Sequence, residues 1–243
     1  MARTFLDLCQ DMVREVSFSG GTGLETVVDQ TADFAKAVYW VQEADLYVQN
    51  LWFNWNFHWA QYPKTVLALG AQVLPLPSTQ ASNTDIVGHY NRRTVGLVQG
   101  LTAATQYLHK PVWMEWDEFD EQYLFLDQDA SDTPDHFSVS PDGVIHLSAP
   151  TRTATVSARY AYWKAPVRMT TDTEESPIPD QFRKIIVDRA QIMYAGKEDA
   201  PEIEVETIAS YTDTLEKLEA YSLPNQAVKR MSQADIELQE FPA

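Results

Sequence analysis

Apolar residues recur with a helical period near the start of the chain, after residue 31 and after residue 180. Spacings of three and four residues place such side chains on one face of a helix. The first pattern predicts a short amphipathic helix, whose apolar face consists of Phe5, Leu8, Cys9, Met12, Val13 and Val16. The second pattern opens at Thr31, runs through Val41 and Val48, and predicts a helix that continues to Trp55, about 36 Å long.

The predicted long helix leads into an aromatic run. Five aromatic residues fall within eight positions, namely Trp52, Phe53, Trp55, Phe57 and Trp59. Aromatic side chains carry large apolar surfaces, so we expect this run to pack against a large neighbouring surface.

Two further helical patterns lie near the other end of the chain. The first starts at Asp180-Gln181-Phe182 and carries an apolar stripe up to Gly196. The second starts at Pro201, a residue well suited to the first turn of a helix, and runs to Tyr221. The sequence Leu223-Pro224-Asn225 then predicts its end.

Short apolar runs, prolines and turn residues between residues 63 and 166 predict β-strands. The clearest hairpin surrounds Pro141-Asp142-Gly143, because Asp-Gly permits the positive backbone angles of a tight turn. A third strand at 154–163 has one apolar face, formed by Val156, Ala158, Tyr160 and Tyr162. We expect this strand to extend the hairpin into an antiparallel meander, with outer strands from segments before Asp127.

These patterns predict an α+β fold. A helical bundle is expected from the N-terminal and C-terminal helices, residues 1–60 and 178–221. An antiparallel β-rich insertion is expected over residues 61–177. Residues 222–243 are weakly patterned and bury too little apolar surface to fold alone, so they are expected to form an extended C-terminal tail.

Composition narrows the functional classes. The chain has 243 residues and 44% hydrophobic content, enough for a sizeable core. With 35 Asp and Glu against 18 Lys and Arg, the net charge of -17 disfavours binding to free nucleic acid or to an anionic membrane. Such acidity suits either simple solubility or a wall along which DNA slides. The single cysteine, Cys9, excludes an intrachain disulfide and is expected in the core.

No leader or membrane segment is expected. The N-terminus lacks the long apolar run of a signal peptide, and no stretch approaches the roughly 20 apolar residues that span a bilayer. The chain is therefore expected to act inside a cell or in a particle built there.

Three segments bear a partial likeness to functional motifs. Gly20-Gly21-Thr22-Gly23 lacks the Gly-Lys-Ser/Thr ending of a phosphate loop, and we expect a helix-ending turn there. Glu115–Glu121 holds five carboxylates in seven residues, and we expect a solvated acidic loop rather than a glycosidase pair. The segment from Asp127 begins like a calcium loop, but Asp132 stands where glycine is needed and Ser138 where glutamate is needed, which excludes an EF-hand.

The histidines do not form a metal motif. None of the five shows zinc-site spacing with another or a cysteine partner: His58, His89, His109, His136 and His146. His58, among aromatic residues, is expected to be a hydrogen-bonded structural residue. The sequence thus predicts no catalytic residue, no metal site and no cofactor, and the protein is expected not to be an enzyme.

Basic residues are scattered rather than clustered. They occur as the pairs Arg92-Arg93, Arg183-Lys184 and Lys229-Arg230. A basic recognition helix is therefore not expected, and sequence-specific DNA reading is disfavoured.

The order of several motifs resembles that of the adaptor proteins in the head–tail connector of tailed bacteriophages. The motifs are, in chain order, the N-terminal helix with Ser19-Gly20-Gly21-Thr22-Gly23, Thr26–Thr31, Val38–Ala44, Val48–Leu51 with Trp55, Phe137–Gly143, Ala161–Pro166 and Phe182–Ala195. The resemblance covers most of the chain up to about Tyr221. One departure is Leu51–Trp55, where the family more often has a His-Asp-Asp-Trp-like stretch, so the resemblance does not extend to contacts at that helix end.

The resemblance implies a structural role in the virion neck, after assembly in the host cytoplasm. It implies a ring of twelve copies that docks beneath the portal protein and continues the DNA channel towards a downstream tail or nozzle protein. Genomic DNA would pass through without sequence-specific binding, and no membrane is involved. In related adaptors the C-terminal extension inserts into the portal, which implies portal contacts by Met231, Ile236, Leu238 and Phe241.

Two other functions are compatible with the residues. One is a carbohydrate-binding or carbohydrate-hydrolysing protein that uses Trp113, Trp116 and Trp163 with the nearby acids. The other is a different virion component, such as a tail-tube or tail-completion protein.

Overall fold

The computed structural model describes residues 3–16, 23–77, 85–99, 107–124, 133–152, 156–198 and 201–223. The chain forms two compact units: a helical unit from Met1–Phe57 and Pro166–Ala243, and a β unit from His58–Ala165. The predicted α+β class, with helices from both ends of the chain and an inserted β unit, is confirmed. The predicted tail lies outside the described residues from position 224 onwards.

Five helices and seven strands make up these units within the described residues. The helices are α1 (Phe5–Val16), α2 (Ala32–Asn50), α3 (Trp116–Phe119), α4 (Lys184–Glu198) and α5 (Pro201–Ser222). The strands are β1 (Trp59–Val66), β2 (Val87–Gln99), β3 (Tyr107–His109), β4 (Val112–Trp113), β5 (His136–Val139), β6 (Ile145–Leu147) and β7 (Ser157–Lys164). No helix in the described ranges combines the length and apolar composition of a membrane span.

The core of the helical unit follows the predicted apolar stripes. The fully buried side chains of α1, α2 and α4 include Phe5, Leu8, Cys9, Met12, Val41, Ala44, Val48, Ile185, Ile186 and Ala190. Burial raises the pKa of the Cys9 thiol, so Cys9 is a small core residue, as predicted. The helices that flank the insertion therefore pack together into one core.

The long helix is shorter than predicted, because α2 ends at Asn50 rather than near Trp55. The Leu51 N–H donates to the Val48 carbonyl and tightens the last turn. Trp55 then turns back and is fully buried, and its indole N–H donates to the Val48 carbonyl at 3.2 Å. A continued helix would prevent Trp55 from reaching this core site.

The helical unit resumes at Pro166, well before the predicted position 178. The Phe5 N–H donates to the Glu174 carbonyl at 2.8 Å, so this polar segment satisfies a backbone donor at the start of α1. Met169 and Ile178 from the same segment are buried in the helical core. Residues 166–177, predicted in the β-rich insertion, therefore belong to the helical unit. We call residues 166–178 the returning segment.

Arg183, the residue immediately before α4, fixes this returning segment. Its side chain is buried, and its guanidinium donates to the carbonyls of Ile178 at 3.0 Å, Ser176 at 2.9 Å and Arg3 at 2.6 Å. It also donates to the Glu175 carboxylate at 3.0 Å. One planar side chain thus joins the start of the chain, the returning segment and α4.

Asp45 of α2 lies on the other side of Ser176. The buried Asp45 carboxylate accepts hydrogen bonds from the Ser176 hydroxyl at 2.6 Å and from the Gln49 amide at 2.6 Å. Burial raises the pKa of Asp45 to about 6, although these hydrogen bonds and the charge of Arg183 oppose the rise. The unit therefore holds a titratable carboxyl in its interior.

The β unit contains two sheets. One has the strand order β1-β7-β2-β3, and the other has the order β4-β5-β6. The predicted hairpin is β5 with β6, paired from Phe137 opposite Leu147, and Gly143 in its turn has a φ of +82°. The Tyr90 hydroxyl donates to the Gly143 carbonyl at 2.8 Å and secures the turn.

The predicted meander is wrong, because β7 does not extend the hairpin. It lies between β1 and β2 of the other sheet. Its apolar face is buried as predicted and packs with Tyr62 of β1 and Tyr90 of β2. Strands β4 and β5 pair in parallel, so the prediction of a purely antiparallel insertion is wrong at this pair.

We expect Arg183→Met to lower the free energy of unfolding by about 3–5 kcal/mol, because it leaves buried carbonyl groups without donors. Arg14→Met is the control, since Arg14 is exposed and its ion pair with Asp11 is worth about 1 kcal/mol or less. Urea unfolding followed by circular dichroism measures both. Equal losses in the two variants would contradict the role of Arg183.

We expect Asp45→Asn to change the pH dependence of stability. Because the folded pKa is raised to about 6, the folded state keeps a proton that the unfolded chain has released above about pH 4. The contribution of the Asp45 carboxyl to the free energy of unfolding therefore falls as the pH rises from about 4 to 6. The free energy of unfolding of Asp45→Asn, relative to that of the native chain, should therefore rise by about 3 kcal/mol between pH 4 and pH 7. Denaturant unfolding at both pH values measures the gain, and a constant difference contradicts it.

Candidate protein interface

The described residues contain no group of three or more His, Cys, Asp or Glu side chains placed to hold a metal ion. His58 is buried, and burial lowers its pKa to about 4. His109 contacts the Pro134 carbonyl at 3.0 Å, and His136 contacts the Tyr123 hydroxyl at 3.1 Å. His146 packs against Trp116. His109, His136 and His146 thus make separate structural contacts.

The acidic segment is helical rather than the predicted loop. Glu115–Glu121 spans α3 and the start of a single wide turn at Asp120–Leu124. Phe119 is fully buried, stacks with Trp116 and packs at a tilt against Tyr123, so aromatic contacts at helical spacing stabilise the helix. Most of the carboxylates point to solvent, as expected.

The three tryptophans of the carbohydrate alternative do not share one site. The Arg92 guanidinium lies 3.7 Å from the centre of the Trp113 ring, and Phe137 contacts the same ring edge-on. Trp116 packs with Phe119 and His146. Trp163 lies on β7 of the other sheet. Arg92 thus covers one face of the Trp113 ring, and Phe119 stacks on one face of the Trp116 ring.

A polar groove of about 340 Å³ lies between α1, α4 and α5 of the helical unit. Its cations are paired with its own acids: Arg3 and Arg14 with Asp11, and Lys184 with Asp188. The Ser210 hydroxyl donates to Asp188 at 2.7 Å. The three cations of the groove are thus neutralised within the chain, whereas Glu15 and Glu206 of its lining form no ion pair with a described residue.

Aromatic side chains gather at the end of the helical unit where α2 and α5 end and α4 begins. We call this set the aromatic end, and it consists of Trp52, Phe53, Phe182 and Tyr221. The Trp52 indole N–H donates to Glu219 at 3.0 Å, and the rings of Phe182 and Tyr221 lie 5.4 Å apart. Phe53 is 67% exposed and Tyr221 is 63% exposed. Of the predicted aromatic run, only Trp55 is fully buried, which leaves an apolar surface of the kind found at interfaces.

A second surface is the side of the four-stranded sheet opposite its tyrosine-rich core. Strand register places these residues on it: Trp59, Gln61, Val66, His89, Asn91, Leu108, Arg159 and Trp163. We call this surface the outer face. Trp59 is 47% exposed, Val66 61% and Leu108 40%. None of the outward residues described on this sheet is acidic.

A third surface is an exposed strip along α5. Its residues recur at helical spacing and are all exposed, namely Val205, Ile208, Ala209, Thr212, Asp213 and Glu216. We call this strip the α5 stripe. Its first half is mostly apolar and its second half is acidic.

Charge is distributed unevenly between the two units. The helical unit has 24 Asp and Glu against 11 Lys and Arg, and the β unit has 11 against 7.

The predicted portal-binding residues Met231, Ile236, Leu238 and Phe241 lie outside the described residues.

Sequence patterns did not reveal the aromatic end or the outer face, and each has its own reason. The aromatic run suited core packing and interface contact equally well. The outer face appears only once β1, β7, β2 and β3 are in register, and β2 gave no clear alternating pattern. Its outward residues Gly96, Asn91 and His89 are small or polar, which is the one signal that could have indicated the strand.

The sequence was compared with known proteins. No protein-family model matches it, and no curated protein sequence matches it significantly. The three surfaces therefore rest on the geometry of this chain alone.

Proposed function

We propose that this chain is a structural subunit of the head–tail connector of a tailed bacteriophage. Copies of it form a ring, of twelve subunits by analogy with related adaptors, that docks below the portal protein. The ring continues the DNA channel towards a tail or nozzle protein in the neck of the virion. The protein is assembled into the particle in the host cytoplasm and has no catalytic role.

The observation that carries this proposal is the position of the aromatic end. It lies where the described part of α5 ends, and residues 224–243 follow directly. Exposed aromatic residues are enriched where proteins bind one another. The aromatic end and the apolar residues Met231, Ile236, Leu238 and Phe241 of the following sequence are proposed to contact one partner, the portal.

Contacts within the helical unit also support the proposal. The motif Thr26–Thr31 is tied to the returning segment, since the Val27 N–H and the Thr26 hydroxyl donate to Asp172 at 2.6 Å and 2.9 Å. Two of the motifs that resemble those of phage adaptor proteins, Thr26–Thr31 and Phe182–Ala195, thus lie in the same helical unit, which forms one framework. A structural role requires such a framework and requires no catalytic group.

The charge of the chain suits passage of DNA. An acidic wall repels the phosphate backbone and so avoids the counterion-releasing contacts that would hold DNA in place. The excess of acids in the helical unit supports a channel through which the genome passes without sequence-specific binding.

Removal of residues 226–243 is expected to abolish docking on the portal while leaving the fold intact, because the described core precedes residue 224. The control keeps the tail but replaces the polar Ser232 and Gln233 with alanine. Co-sedimentation with the portal ring of the same phage measures docking, and circular dichroism checks the fold. Normal docking of the truncated chain contradicts the assignment of the tail.

We expect Phe53→Ser to weaken portal docking at least about tenfold, as loss of a central interface aromatic does. Phe53 is 67% exposed, so the change should leave stability nearly unchanged. Tyr39→Ser is the matched control, since Tyr39 is 48% exposed on α2 outside the aromatic end. Equal docking by the two variants would exclude the aromatic end from the portal contact.

A further inference from the structure

We infer that the outer face of one copy binds the α5 stripe of the next copy, in a head-to-tail contact. This inference rests on the proposed ring and names the surfaces that build it. The occupant of the outer face is thus a second copy of this chain.

The outer face has the composition of a protein contact. It exposes Trp59, Val66 and Leu108, and it carries amide side chains from Gln61 and Asn91. Acidic residues are absent from its described positions, although the whole chain has a net charge of -17. A face that exposes apolar side chains and lacks acids suits an acidic partner.

Arg159 supplies the charge of the outer face. It is half-buried on β7, and no described acid forms an ion pair with it. Its guanidinium lies above Gly96, where an added Cβ would be 3.8 Å from Nε and 2.7 Å from Leu108. The absence of a side chain at Gly96 thus lets Arg159 and Leu108 lie side by side. A cation held in this way without a partner favours a carboxylate from outside the chain.

The α5 stripe offers that carboxylate beside apolar groups. Val205 is 72% exposed and Ile208 is 43% exposed. Asp213 is paired with Lys217 of the same helix at 2.6 Å, whereas no described cation pairs with Glu216. Glu216 is therefore the acid that we assign to Arg159 of the next copy.

The dimensions of the two surfaces agree. From Val205 to Glu216 the stripe extends about 17 Å, at about 1.5 Å per residue. Four neighbouring strands, about 4.8 Å apart, span about 14 Å. A helix laid across the outer face therefore reaches from the edge strand β1 to β3.

The contact joins two different surfaces, so it is heterologous. In an open row of copies, the copy at one end has an unoccupied outer face and the copy at the other end has an unoccupied α5 stripe. Repetition of such a contact closes into a ring when the rotation between copies permits it. Two identical surfaces would instead stop at a dimer.

The first experiment measures self-association of the full chain by sedimentation velocity over a range of concentrations. Ile208→Asp and Arg159→Glu should each weaken association at least about tenfold. Ile208→Asp replaces an apolar contact by a charged group that must lose water, and Arg159→Glu places an acid against Glu216. Val167→Asp and Arg152→Glu are the controls, since these exposed residues lie outside both surfaces. Circular dichroism establishes that all four variants are folded.

The second experiment tests the pairing directly. Arg159→Glu combined with Glu216→Arg in one chain should restore association, because the charges are exchanged. An equimolar mixture of Arg159→Glu with Ile208→Asp should stop at a one-to-one dimer. In that dimer the intact α5 stripe of the first variant binds the intact outer face of the second, and both remaining surfaces are defective.

The outcomes separate this inference from the proposed function. A native chain that stays monomeric at every concentration, or folded variants that associate like the controls, overturns the inference. Failure of the charge exchange to restore association also overturns it. If the native chain still docks as a ring on the portal in those cases, the connector role stands. If association follows the expected pattern but no docking occurs, the connector role fails and the inference stands.

Discussion

The helical unit depends on two buried charged side chains that meet at Ser176. Arg183 donates to the Ser176 carbonyl, and Asp45 accepts from the Ser176 hydroxyl. These contacts hold the returning segment between α2 and α4, and the bond from Arg183 to the Arg3 carbonyl adds the start of the chain. A buried donor or acceptor that loses its partner is costly, so this network tolerates only one arrangement of its segments. A long insertion between Phe57 and Pro166 is compatible with one helical core because the chain is secured where it returns.

Sequence pattern predicted the parts of the fold that are determined locally. Helices α1, α4 and α5 and the hairpin at Asp142-Gly143 depend on periodicity and turn chemistry, and all are present. The returning segment was not predictable in this way, because its polar residues find partners far along the chain, such as Thr26 for Asp172. The end of α2 was missed for a related reason. The burial of Trp55 in the core outweighs the helical pattern that continues past Asn50.

The candidate surfaces could be predicted only in part. Sequence indicated an aromatic cluster near the end of α2 but could not separate Trp55, which is buried, from Phe53, which is exposed. Both residue types suit a core and an interface, and only the path of the backbone decides between these roles. The outer face required the register of four strands, and β7 was expected beside the hairpin. The acidity of α5 was visible in the sequence, whereas the unpaired state of Glu216 depends on the three-dimensional arrangement.

Electrostatics limits how copies of such an acidic chain associate. Subunits of net charge -17 repel one another, so a stable contact needs surfaces from which acids are absent or at which they meet cations. The outer face meets this need, because its described residues include Arg159 and no acid. The proposed contact pairs the outer face with the acidic helix α5. Glu216, which would repel other acidic surfaces, is there attracted by Arg159. The same argument disfavours contact between two α5 stripes, since Asp213 and Glu216 of one copy would face those of the other. Charge thus favours a head-to-tail order over a symmetric dimer, and a head-to-tail order is what a ring requires.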